Sequence, residues 1–458
     1  MTLIETADPR PVHFVGIAGA GMRALAELLA RRGVAVSGCD AAPGDIADLR
    51  RLGIDVREGH DPAHVEGVRA LVVTSAMARS HAELARAHAL GVPVIRRAEA
   101  LGEATAGGEL VAVAGTHGKS TTTVMAAQAL AASGLDPTAL VGARVPDWNG
   151  NLRAGGTALY VVEADEYDRS FLALAPTVAV ITNIEADHLD IYKDLADIRD
   201  AFARFARGAR AIVLSADDAE ANTLPMPASA EVVRFGVQSR DARLTATDVR
   251  FADGGSRFDV RFDDVRVGAV RLQVPGLHNV QNALAALGAG LAEGRTVEEM
   301  APGLAAFAGV ERRFQRVGDA AGVAVVDDYA HHPTEIRATI AAARDAFAGR
   351  RLIVAFQPHL YSRTRDFAPA FAAALAAADA IFLADIYPAR EQPMAGVTAD
   401  LIVDALGPAR DRLRWRGARA ELAPALAAFA QPGDVVLTMG AGDVTRSAGE
   451  LVTLLEAR

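Results

Sequence analysis

The chain has 458 residues, 51% of them apolar, and is too long for one ordinary core, so about three domains are predicted. Its net charge of −10, with no run rich in lysine or arginine, argues against nucleic acid as a main partner. The single cysteine, Cys39, excludes an internal disulfide framework, and the short acidic N-terminus is unlike a secretory leader. We therefore expect a soluble, cytoplasmic protein without a membrane partner.

The first predicted element is a strand at residues 12–15, followed by a glycine-rich turn and a helical pattern. Further strands at residues 34–37 and 70–74 complete an α/β domain. The turn, GIAGAGM at residues 16–22, reverses the spacing of the dinucleotide fingerprint and is a weak signal for NAD or FAD. It could bind a phosphate, or it could be a tight turn that needs small residues. Asp40, after the second strand, could bind ribose hydroxyls.

The next strand, at residues 110–114, leads into the segment AGTHGKST and then into a helical pattern. Lys119 is one of only two lysines among 47 basic residues, which favours a role that a planar guanidinium cannot fill. A compact ammonium beside a backbone cradle is suited to phosphate oxygens. The common nucleotide-phosphate pattern begins earlier, whereas here Gly115 opens a shorter loop. A phosphate-binding loop is favoured over the alternative, a glycine-rich turn with a solvated lysine.

Two polar clusters follow strands of this second domain. EADEYD at residues 163–168 follows a predicted strand at 159–162, and NIEADHLD at residues 183–190 follows one at 178–182. Carboxylates at the ends of parallel strands, in the same domain as a phosphate loop, are where the Mg²⁺ of ATP is held. His188 is unusual among oxygen ligands and could be an orienting hydrogen-bond donor instead. The first cluster could also be a solvated turn.

The remaining pattern predicts two further parts of the fold. Residues 231–274 are rich in strand formers, which suggests an added antiparallel sheet. Beyond residue 314, strands and alanine-rich helices alternate, which implies another parallel sheet with helices on both faces. The predicted fold is therefore α/β with three domains. They are a Rossmann-like domain at residues 1–105, a P-loop ATPase-like domain with added antiparallel strands at residues 106–313, and a second Rossmann-like domain at residues 314–458.

The third predicted domain carries two polar segments, each placed after a strand. DDYAHHPTE occupies residues 327–335, and its adjacent histidines would point apart on most backbones, so positioning of a substrate is favoured over a metal site. In QPHLYSRTR, at residues 357–365, Arg363 and Arg365 could clamp a carboxylate or phosphate. The alternative, in a chain this rich in arginine, is that both are surface residues.

In combination, these motifs and three others resemble those of the Mur ligase family. The motifs are GIAGAGM (16–22), AGTHGKST (114–121), EADE (163–166), TNIEADHLD (182–190), HNVQNALAA (278–286), RRFQ (312–315), DDYAHHPTE (327–335), FQPHLYSRTRD (356–366) and DIYPARE (385–391). They are spread over all three predicted domains, and within the family they are most similar to the branch that adds alanine.

The resemblance implies an ATP-dependent enzyme that joins the lactyl carboxylate of UDP-N-acetylmuramate to the amine of L-alanine. The γ-phosphoryl group of ATP would be moved onto the carboxylate, and the amine would then displace phosphate from the acyl phosphate. The nearest alternative is the sister enzyme that attaches a recycled tripeptide to the same nucleotide sugar. An NAD-dependent oxidoreductase built on the first turn, or an inactive protein of the same fold, would leave the second-domain motifs unexplained.

The resemblance also implies roles for individual residues. The ATP phosphates would be held by Gly115, Thr116, His117, Gly118, Lys119, Ser120 and Thr121. Mg²⁺ would be bound by Ser120, Glu163 and His188, and the catalytic set would be Lys119, Glu163 and His188. Asn279 would contact adenine, and Arg313 and Asp327 would approach ATP. The nucleotide sugar would bind at Gly19, Gly21, Met22, Asp40 and Ser75, and L-alanine at Tyr329, His331 and Arg363.

The chain departs from the commonest family pattern in places. Leu360 stands where many relatives have arginine, which removes one candidate for binding the alanine carboxylate and leaves selection among alanine, serine and glycine open. Ser120 replaces the more usual threonine but keeps the hydroxyl, and Arg23 follows the first turn where a small residue is frequent. Other ligases of the family use a carbamylated lysine for a second metal, and neither Lys119 nor Lys193 is suitably placed for that role.

Overall fold

The computed structural model of the chain describes residues 3–74, 77–252, 254–389 and 391–458. The chain divides into two compact units. The first unit comprises Met1–Asp248, Phe258–Val270 and Gln281–Phe307. The second unit comprises Val249–Arg257, Arg271–Val280 and Ala308–Arg458.

The first unit begins with five parallel strands. They are β1 (Val12–Val15), β2 (Val36–Asp40), β3 (Asp55–Glu58), β4 (Ala70–Val73) and β5 (Val94–Arg96), in the order β3-β2-β1-β4-β5. The helices between them are α1 (Ala20–Arg31), α2 (Ala47–Arg51) and α3 (Ala82–Leu90), with a short 3-10 helix at Pro62–Val65, and α4 (Arg97–Thr105) follows β5. The strand order reverses beside β1, so the glycine-rich turn that follows β1 lies where such sheets bind ligands.

A ten-stranded sheet follows. Its strands are β6 (Glu109–Ala114), β7 (Thr138–Val145), β8 (Gly150–Arg153), β9 (Leu159–Glu163), β10 (Val178–Ile181), β11 (Ala211–Ser215), β12 (Glu231–Gly236), β13 (Leu244–Ala252), β14 (Gly255–Phe262) and β15 (Val265–Leu272). Their order is β15-β14-β13-β12-β11-β10-β6-β9-β7-β8. Because β6, β9 and β10 are parallel neighbours, the motifs that follow them meet at one edge of the sheet.

Helices cover this sheet. They are α5 (Lys119–Ala132), α6 (Leu195–Ala206), α7 (Ala219–Asn222), α8 (Leu277–Ala292) and α9 (Val297–Ala306), with 3-10 helices at Pro146–Trp148 and Tyr167–Ala173. One apolar core runs from the first sheet into the second and includes Phe14, Leu25, Tyr160 and Phe202. Arg32 spans the two parts, because it donates to the carbonyl of Ala104 at 2.7 Å and lies over the Tyr160 ring.

The second unit contains a six-stranded sheet. Its strands are β16 (Gln315–Ala320), β17 (Val323–Asp328), β18 (Leu352–Phe356), β19 (Ala380–Ala384), β20 (Leu413–Gly417) and β21 (Val435–Met439), in the order β16-β17-β21-β18-β19-β20. All neighbours are parallel except β16, which is antiparallel to β17. The helices are α10 (Pro333–Ala346), α11 (Tyr361–Leu375), α12 (Asp400–Ala405), α13 (Arg419–Phe429) and α14 (Thr445–Glu456), with a 3-10 helix at Gly407–Arg412. Apolar clusters lie on both faces of the sheet.

The predicted α/β class is confirmed, but the strand-rich region differs in detail from the prediction. Residues 231–236 form β12, which is parallel to β11, and β13 to β15 extend the same sheet instead of forming a separate one. A two-residue link joins β14 to β15, and such a link is suited only to antiparallel neighbours. The domain boundaries after residues 105 and 313 stay predictions. Within the described residues, no helix is both long and apolar enough to cross a bilayer.

Asp328, at the end of β17, gives the fold a testable pH dependence. Its carboxylate accepts hydrogen bonds from the N–H groups of Phe314 and Ala330, both at 2.7 Å. Burial raises the pKa of Asp328 to about 6, although the charge of Arg313 and these N–H groups oppose the rise. The folded protein therefore binds a proton near pH 6, whereas the unfolded chain binds it only near about pH 4, so this group adds stability as the pH falls.

We expect the free energy of unfolding of the wild type, relative to Asp328→Asn, to rise by about 1 kcal/mol between pH 7 and pH 5. Chemical denaturation of both proteins across this pH range measures the difference. The comparison with the variant cancels the titration of all other groups. A difference that stays constant, or that falls on acidification, would contradict the raised pKa.

Candidate active site

The loop at residues 115–118, between β6 and α5, needs glycine at two positions. Gly115 has φ of +141° and Gly118 has φ of +80°. A Cβ atom on Gly115 would lie 1.9 Å from Thr182 Oγ1, and one on Gly118 would lie 2.5 Å from Asn282 Oδ1. The chain therefore passes through a space that no other residue fits without movement. Beyond it, the N-terminus of α5 presents its first N–H groups, an arrangement that favours a phosphate.

Gly118→Ala is expected to weaken MgATP binding by at least about tenfold, because the added Cβ displaces the loop from Asn282. Calorimetric titration with MgATP measures the dissociation constant. The matched control is Gly134→Ala, since Gly134 has φ of +88° but open space around it. Both variants should lose similar stability from the strained backbone, and equal MgATP affinity in the two would argue against phosphate binding at this loop.

Lys119, the first residue of α5, holds its ammonium over the loop. Nζ donates to the carbonyl oxygens of Gly115 at 2.6 Å and Thr116 at 3.2 Å, and it lies 2.8 Å from Glu166 Oε2. Burial opposes the charge, but the Glu166 and Asp165 carboxylates raise the pKa of Lys119 overall. The ammonium is therefore charged and poised beside the glycine-rich loop, with Glu166 as its counter-ion.

Ser120 and Glu163 form a group that fits Mg²⁺. Ser120 Oγ donates to Glu163 Oε2 at 2.9 Å, and the N–H of Gly142 donates to the same oxygen at 2.6 Å. Glu163 is the last residue of β9, so the strand aims its carboxylate at the start of α5. A hydroxyl and a carboxylate beside a phosphate loop are the hard oxygen ligands that Mg²⁺ prefers. Thr121, the next residue of α5, is buried.

His188 joins this group through Glu166. Its Nε2 lies 3.7 Å from Glu166 Oε1, which also accepts a hydrogen bond from Lys119 at 3.0 Å. Burial alone would lower the pKa of His188, but the nearby Glu166 and Asp187 carboxylates raise it. Burial alone would raise the pKa of Glu166, but Lys119 and His188 lower it. Glu166 therefore stays ionised between two predicted site residues. Glu166 belongs to the EADE motif, but the sequence pattern did not indicate a role of its own for it.

Residues after β10 fix the loop from the opposite side. Thr182 Oγ1 donates to the carbonyl of His117 at 2.6 Å. Asn183 Oδ1 accepts from the N–H of His117 at 2.8 Å, and its Nδ2 donates to the carbonyl of the same residue at 3.1 Å. The N–H of Glu185 donates to Thr116 Oγ1 at 2.9 Å. The TNIE part of the second polar cluster is thus a support for the loop, a role that the sequence pattern did not indicate.

The first glycine-rich turn and the end of β9 line one cavity of about 310 Å³. Its lining includes Gly19, Gly21, Met22, Glu163 and Asp165. Three of the residues predicted to bind the nucleotide sugar therefore share a cavity with a predicted metal ligand. Glu163 is the connecting residue, because its carboxylate also accepts the hydrogen bond from Ser120 of the phosphate loop.

Arg97 also lines this cavity and was not singled out from the sequence. Its Nη2 lies 3.8 Å from Asp165 Oδ2. A Cβ atom on Gly21 would lie 2.9 Å from Arg97 Nη1, so the guanidinium passes close to the first glycine-rich turn. A guanidinium in a cavity is suited to a diphosphate or a carboxylate. Among so many arginines, only the three-dimensional structure distinguishes this one.

Asp40 is engaged by the backbone around the first turn. Its carboxylate accepts from the N–H groups of Ala18 at 3.1 Å and Ala42 at 3.0 Å, so it stabilises the turn. Its binding to the nucleotide sugar stays a prediction. Arg23 is paired with Asp48, to which its Nε donates at 2.9 Å. Ser75, also predicted to bind the sugar nucleotide, lies outside the described residues.

In the second unit, Asp327 is buried at the end of β17. Its carboxylate accepts hydrogen bonds from Thr438 Oγ1 at 2.6 Å and Thr445 Oγ1 at 2.7 Å, and Arg312 Nε lies 3.7 Å away. The carboxylate is therefore held firmly in one position. Its predicted approach to ATP stays a prediction.

Tyr329, His331 and Arg313 form one cluster in the second unit. The guanidinium of Arg313 lies over the Tyr329 ring at 5.0 Å from its centre, and that of Arg312 at 4.7 Å. The ring of His331 meets that of Tyr329 edge-on, with 5.2 Å between their centres. Glu335 joins the cluster, because its carboxylate lies 3.1 Å from His331 Nδ1 and 3.9 Å from Arg313. The structure thus brings together residues predicted to bind L-alanine and ATP.

Arg363 and Asn279 complete the predicted set in this unit. Arg363 is buried in the first turn of α11, and Leu360 just before it is buried with φ of +70°. A left-handed backbone is uncommon at leucine and indicates a local constraint. Asn279 is also buried, and its Nδ2 donates to the carbonyl of Pro275 at 2.7 Å. The contacts of Arg363 with alanine and of Asn279 with adenine stay predictions.

Comparison with known families covers most of the chain. Residues 11–108 match the model of the Mur ligase family, catalytic domain. Residues 113–290 match the Mur ligase middle domain, and residues 312–442 match the Mur ligase, glutamate ligase domain. The three matches follow each other in the order in which the predicted domains occur.

Individual relatives are similar over nearly their whole length. The chain is 46% identical to the UDP-N-acetylmuramate–L-alanine ligase of Kineococcus radiotolerans over 98% of this chain and 96% of that relative. The crystal structure of the UDP-N-acetylmuramate-alanine ligase of Thermotoga maritima is 29% identical, with a TM-score of 0.83 over 98% of this chain and 99% of that one. A murein peptide ligase structure from Psychrobacter arcticus is 27% identical, with a TM-score of 0.71 over 98% of this chain and 99% of that one.

Proposed function

Because the chain belongs to the Mur ligase family, we propose that it is the ATP-dependent ligase that joins L-alanine to the lactyl carboxylate of UDP-N-acetylmuramate. The product would be a precursor of peptidoglycan. One observation carries the proposal. Glu163 lines the cavity of the first glycine-rich turn, and its carboxylate also accepts a hydrogen bond from Ser120 of the phosphate loop. A carboxylate substrate in that cavity would lie next to the phosphates of ATP.

The chemistry requires an activated acid, because a carboxylate is a poor electrophile. A carboxylate oxygen of the sugar attacks the γ-phosphorus, the bond to the β-phosphate oxygen breaks, and ADP leaves. The amine of alanine then attacks the acyl carbon and loses a proton. Phosphate leaves and carries with it the carboxylate oxygen that had attacked the γ-phosphorus. The protein contributes mainly alignment and the neutralisation of negative charge.

The residues of the first unit suit the first of these steps. The proposed cradle is the glycine-rich backbone at residues 115–118 with the N-terminus of α5, and Lys119 would bind the β- and γ-oxygens. In the structure Lys119 contacts Glu166, so binding of phosphate would exchange one anionic partner for another. Arg97 is in position to bind an anionic group of the nucleotide sugar, because it lines the same cavity as Gly21.

We propose that Mg²⁺ is held by Ser120, Glu163 and His188. The hydrogen-bonded hydroxyl and carboxylate fit the ion, and His188 is linked to the same group through Glu166. When bound, Mg²⁺ would neutralise charge on the phosphate oxygens. His188 must be unprotonated to bind a metal, although Glu166 and Asp187 favour its protonated form without one.

We propose that L-alanine binds beside Tyr329, His331 and Arg363 of the second unit. The cationic and aromatic groups around Tyr329 suit an amino-acid zwitterion, whose carboxylate needs a positive partner. The apolar side chain of Leu360 cannot bind that carboxylate. Arg363, in the first turn of α11, is therefore the residue proposed to bind it. We also propose that the enzyme works in the cytoplasm, where ATP is available, as a monomer or weak homodimer.

The sister activity, attachment of a recycled tripeptide to the same sugar, is the second candidate. The murein peptide ligase structure supports it at fold level, but relatives at 42–46% identity carry the alanine ligase name. Phosphate release should be measured with purified protein, MgATP, UDP-N-acetylmuramate and, in turn, L-alanine, L-serine, glycine or the tripeptide. Release that depends on L-alanine is expected. Release with the tripeptide alone would assign the sister activity, and none with any acceptor would overturn the ligase proposal.

A further inference from the structure

Four of the eleven histidines and the only cysteine surround one buried carboxylate in the five-stranded sheet of the first unit. The carboxylate is that of Glu83, near the start of α3, and Glu83 is 0% exposed. The surrounding residues are His13 on β1, Cys39 on β2, His60 and His64 around the 3-10 helix at Pro62–Val65, and His81 just before α3. None of them has a part in the proposed ligase reaction.

Four of these side chains already have the spacing of a metal-binding set. Ligand atoms of His13, Cys39, His64 and Glu83 all lie within 4.8 Å of one another. Cys39 Sγ lies 3.4 Å from His13 Nε2 and 3.2 Å from Glu83 Oε1, and His64 Nδ1 lies 3.0 Å from the same oxygen. Tetrahedral zinc with bonds of about 2.0–2.3 Å places its ligands about 3.3–3.8 Å apart, so small shifts would admit the ion.

The groups around this set orient the ligand atoms. His13 Nδ1 lies 2.9 Å from Ser37 Oγ, which leaves Nε2 directed at Cys39. Outer hydrogen bonds of this kind fix the tautomer of a metal-bound histidine. His60 Nδ1 lies 3.3 Å from Cys39 Sγ and 3.5 Å from Glu83 Oε2. Nδ1 of His81 is buried, has no hydrogen-bond partner among the described residues, and lies 3.9 Å from Glu83 Oε2.

We propose that His13, Cys39, His64 and Glu83 bind one transition-metal dication, with zinc as the ion that this mixed nitrogen, sulfur and oxygen set suits best. As the sulfur–metal bond forms, the thiol proton of Cys39 leaves to solvent, because the thiolate is the ligand. Magnesium is not a competitor, since it prefers oxygen ligands alone.

The site would anchor the first glycine-rich turn. The carbonyl of Cys39 accepts hydrogen bonds from the N–H groups of Gly16 at 2.8 Å and Ile17 at 3.1 Å. A metal bound to the Cys39 side chain would therefore hold β2 and this turn together, as a structural ion. Hydrogen bonds alone also satisfy the Glu83 carboxylate, so the test must detect the metal itself.

The experiment uses the full chain, freed of metal with a chelator and titrated with Co²⁺ and then Zn²⁺ without nucleotide. We expect one equivalent of Co²⁺ with a thiolate charge-transfer band, displacement of the cobalt by zinc, and a rise in melting temperature with zinc. Cys39→Ser should lose the band, and His64→Ala should keep it but bind at least about a hundredfold more weakly. The control His88→Ala, an exposed histidine of α3, should bind like the wild type.

Absence of the band in the wild type would overturn the proposal, as would binding that neither Cys39→Ser nor His64→Ala weakens. Circular dichroism checks that the variants fold. If Cys39→Ser does not fold, the affinity of His64→Ala decides the question. The result is separate from the ligase assay, because the titration contains neither ATP nor nucleotide sugar.

Discussion

Lys119→Arg is expected to lower kcat by at least about two orders of magnitude while leaving the fold intact. The ammonium fits between the carbonyl oxygens of Gly115 and Thr116, and the planar guanidinium of arginine is too broad for that position. Arginine would keep the positive charge but hold it away from the phosphate oxygens of ATP. The contact between this charge and those oxygens matters most in the transition state. Steady-state rates of phosphate release with saturating substrates give kcat.

The matched control is Lys193→Arg, since Lys193 is the only other lysine and is exposed. It should retain wild-type turnover, and melting temperatures of both variants should stay close to that of the wild type. Near-normal turnover in Lys119→Arg would show that a compact ammonium is not required, and the rarity of lysine in this chain would then not indicate a phosphate loop.

Glu163→Gln is the second large change. The amide oxygen of glutamine can still accept from Ser120 and Gly142, so the local hydrogen bonds survive while the negative charge is lost. We expect kcat to fall by about a hundredfold and the Mg²⁺ concentration for half-maximal rate to rise by at least about tenfold. The rate measured as a function of Mg²⁺ at fixed ATP separates the two effects.

Glu231→Gln, an exposed residue at the start of β12, makes the same chemical change away from the site and should leave the Mg²⁺ dependence unaltered. If Glu163→Gln instead lowers kcat with an unchanged requirement for Mg²⁺, then Glu163 acts on the substrate and not on the metal.

The sequence predicted those parts of the site whose residues and flanking elements all lie in one short segment. Lys119 and the glycines around it lie between an apolar strand and a helix, and this local pattern is enough to predict a phosphate loop. Glu163 was predicted because a buried strand leads directly to it. Parallel strands end at one edge of a sheet, so the meeting of these segments also followed from the pattern.

The parts that the sequence did not predict depend on residues far apart in the chain. Arg97 and Asp165 meet in the cavity only because the first and second sheets pack together. Glu166 pairs with Lys119, and its neighbours in EADE do not indicate which of the acids will do so. The histidines and the cysteine around Glu83 come from four separate segments, so no local motif marks them. In the strand-rich region, alternation predicted strands but could not show that they extend an existing sheet.

The most direct test follows one oxygen atom. UDP-N-acetylmuramate labelled with heavy oxygen in its lactyl carboxylate should be incubated with the enzyme, MgATP and L-alanine, and the released phosphate analysed by mass spectrometry. Transfer of γ-phosphoryl to the acid predicts one labelled oxygen in each phosphate and one retained in the new amide. Phosphate without the label, formed at the rate of amide synthesis, would contradict activation of the acid at the Lys119 loop.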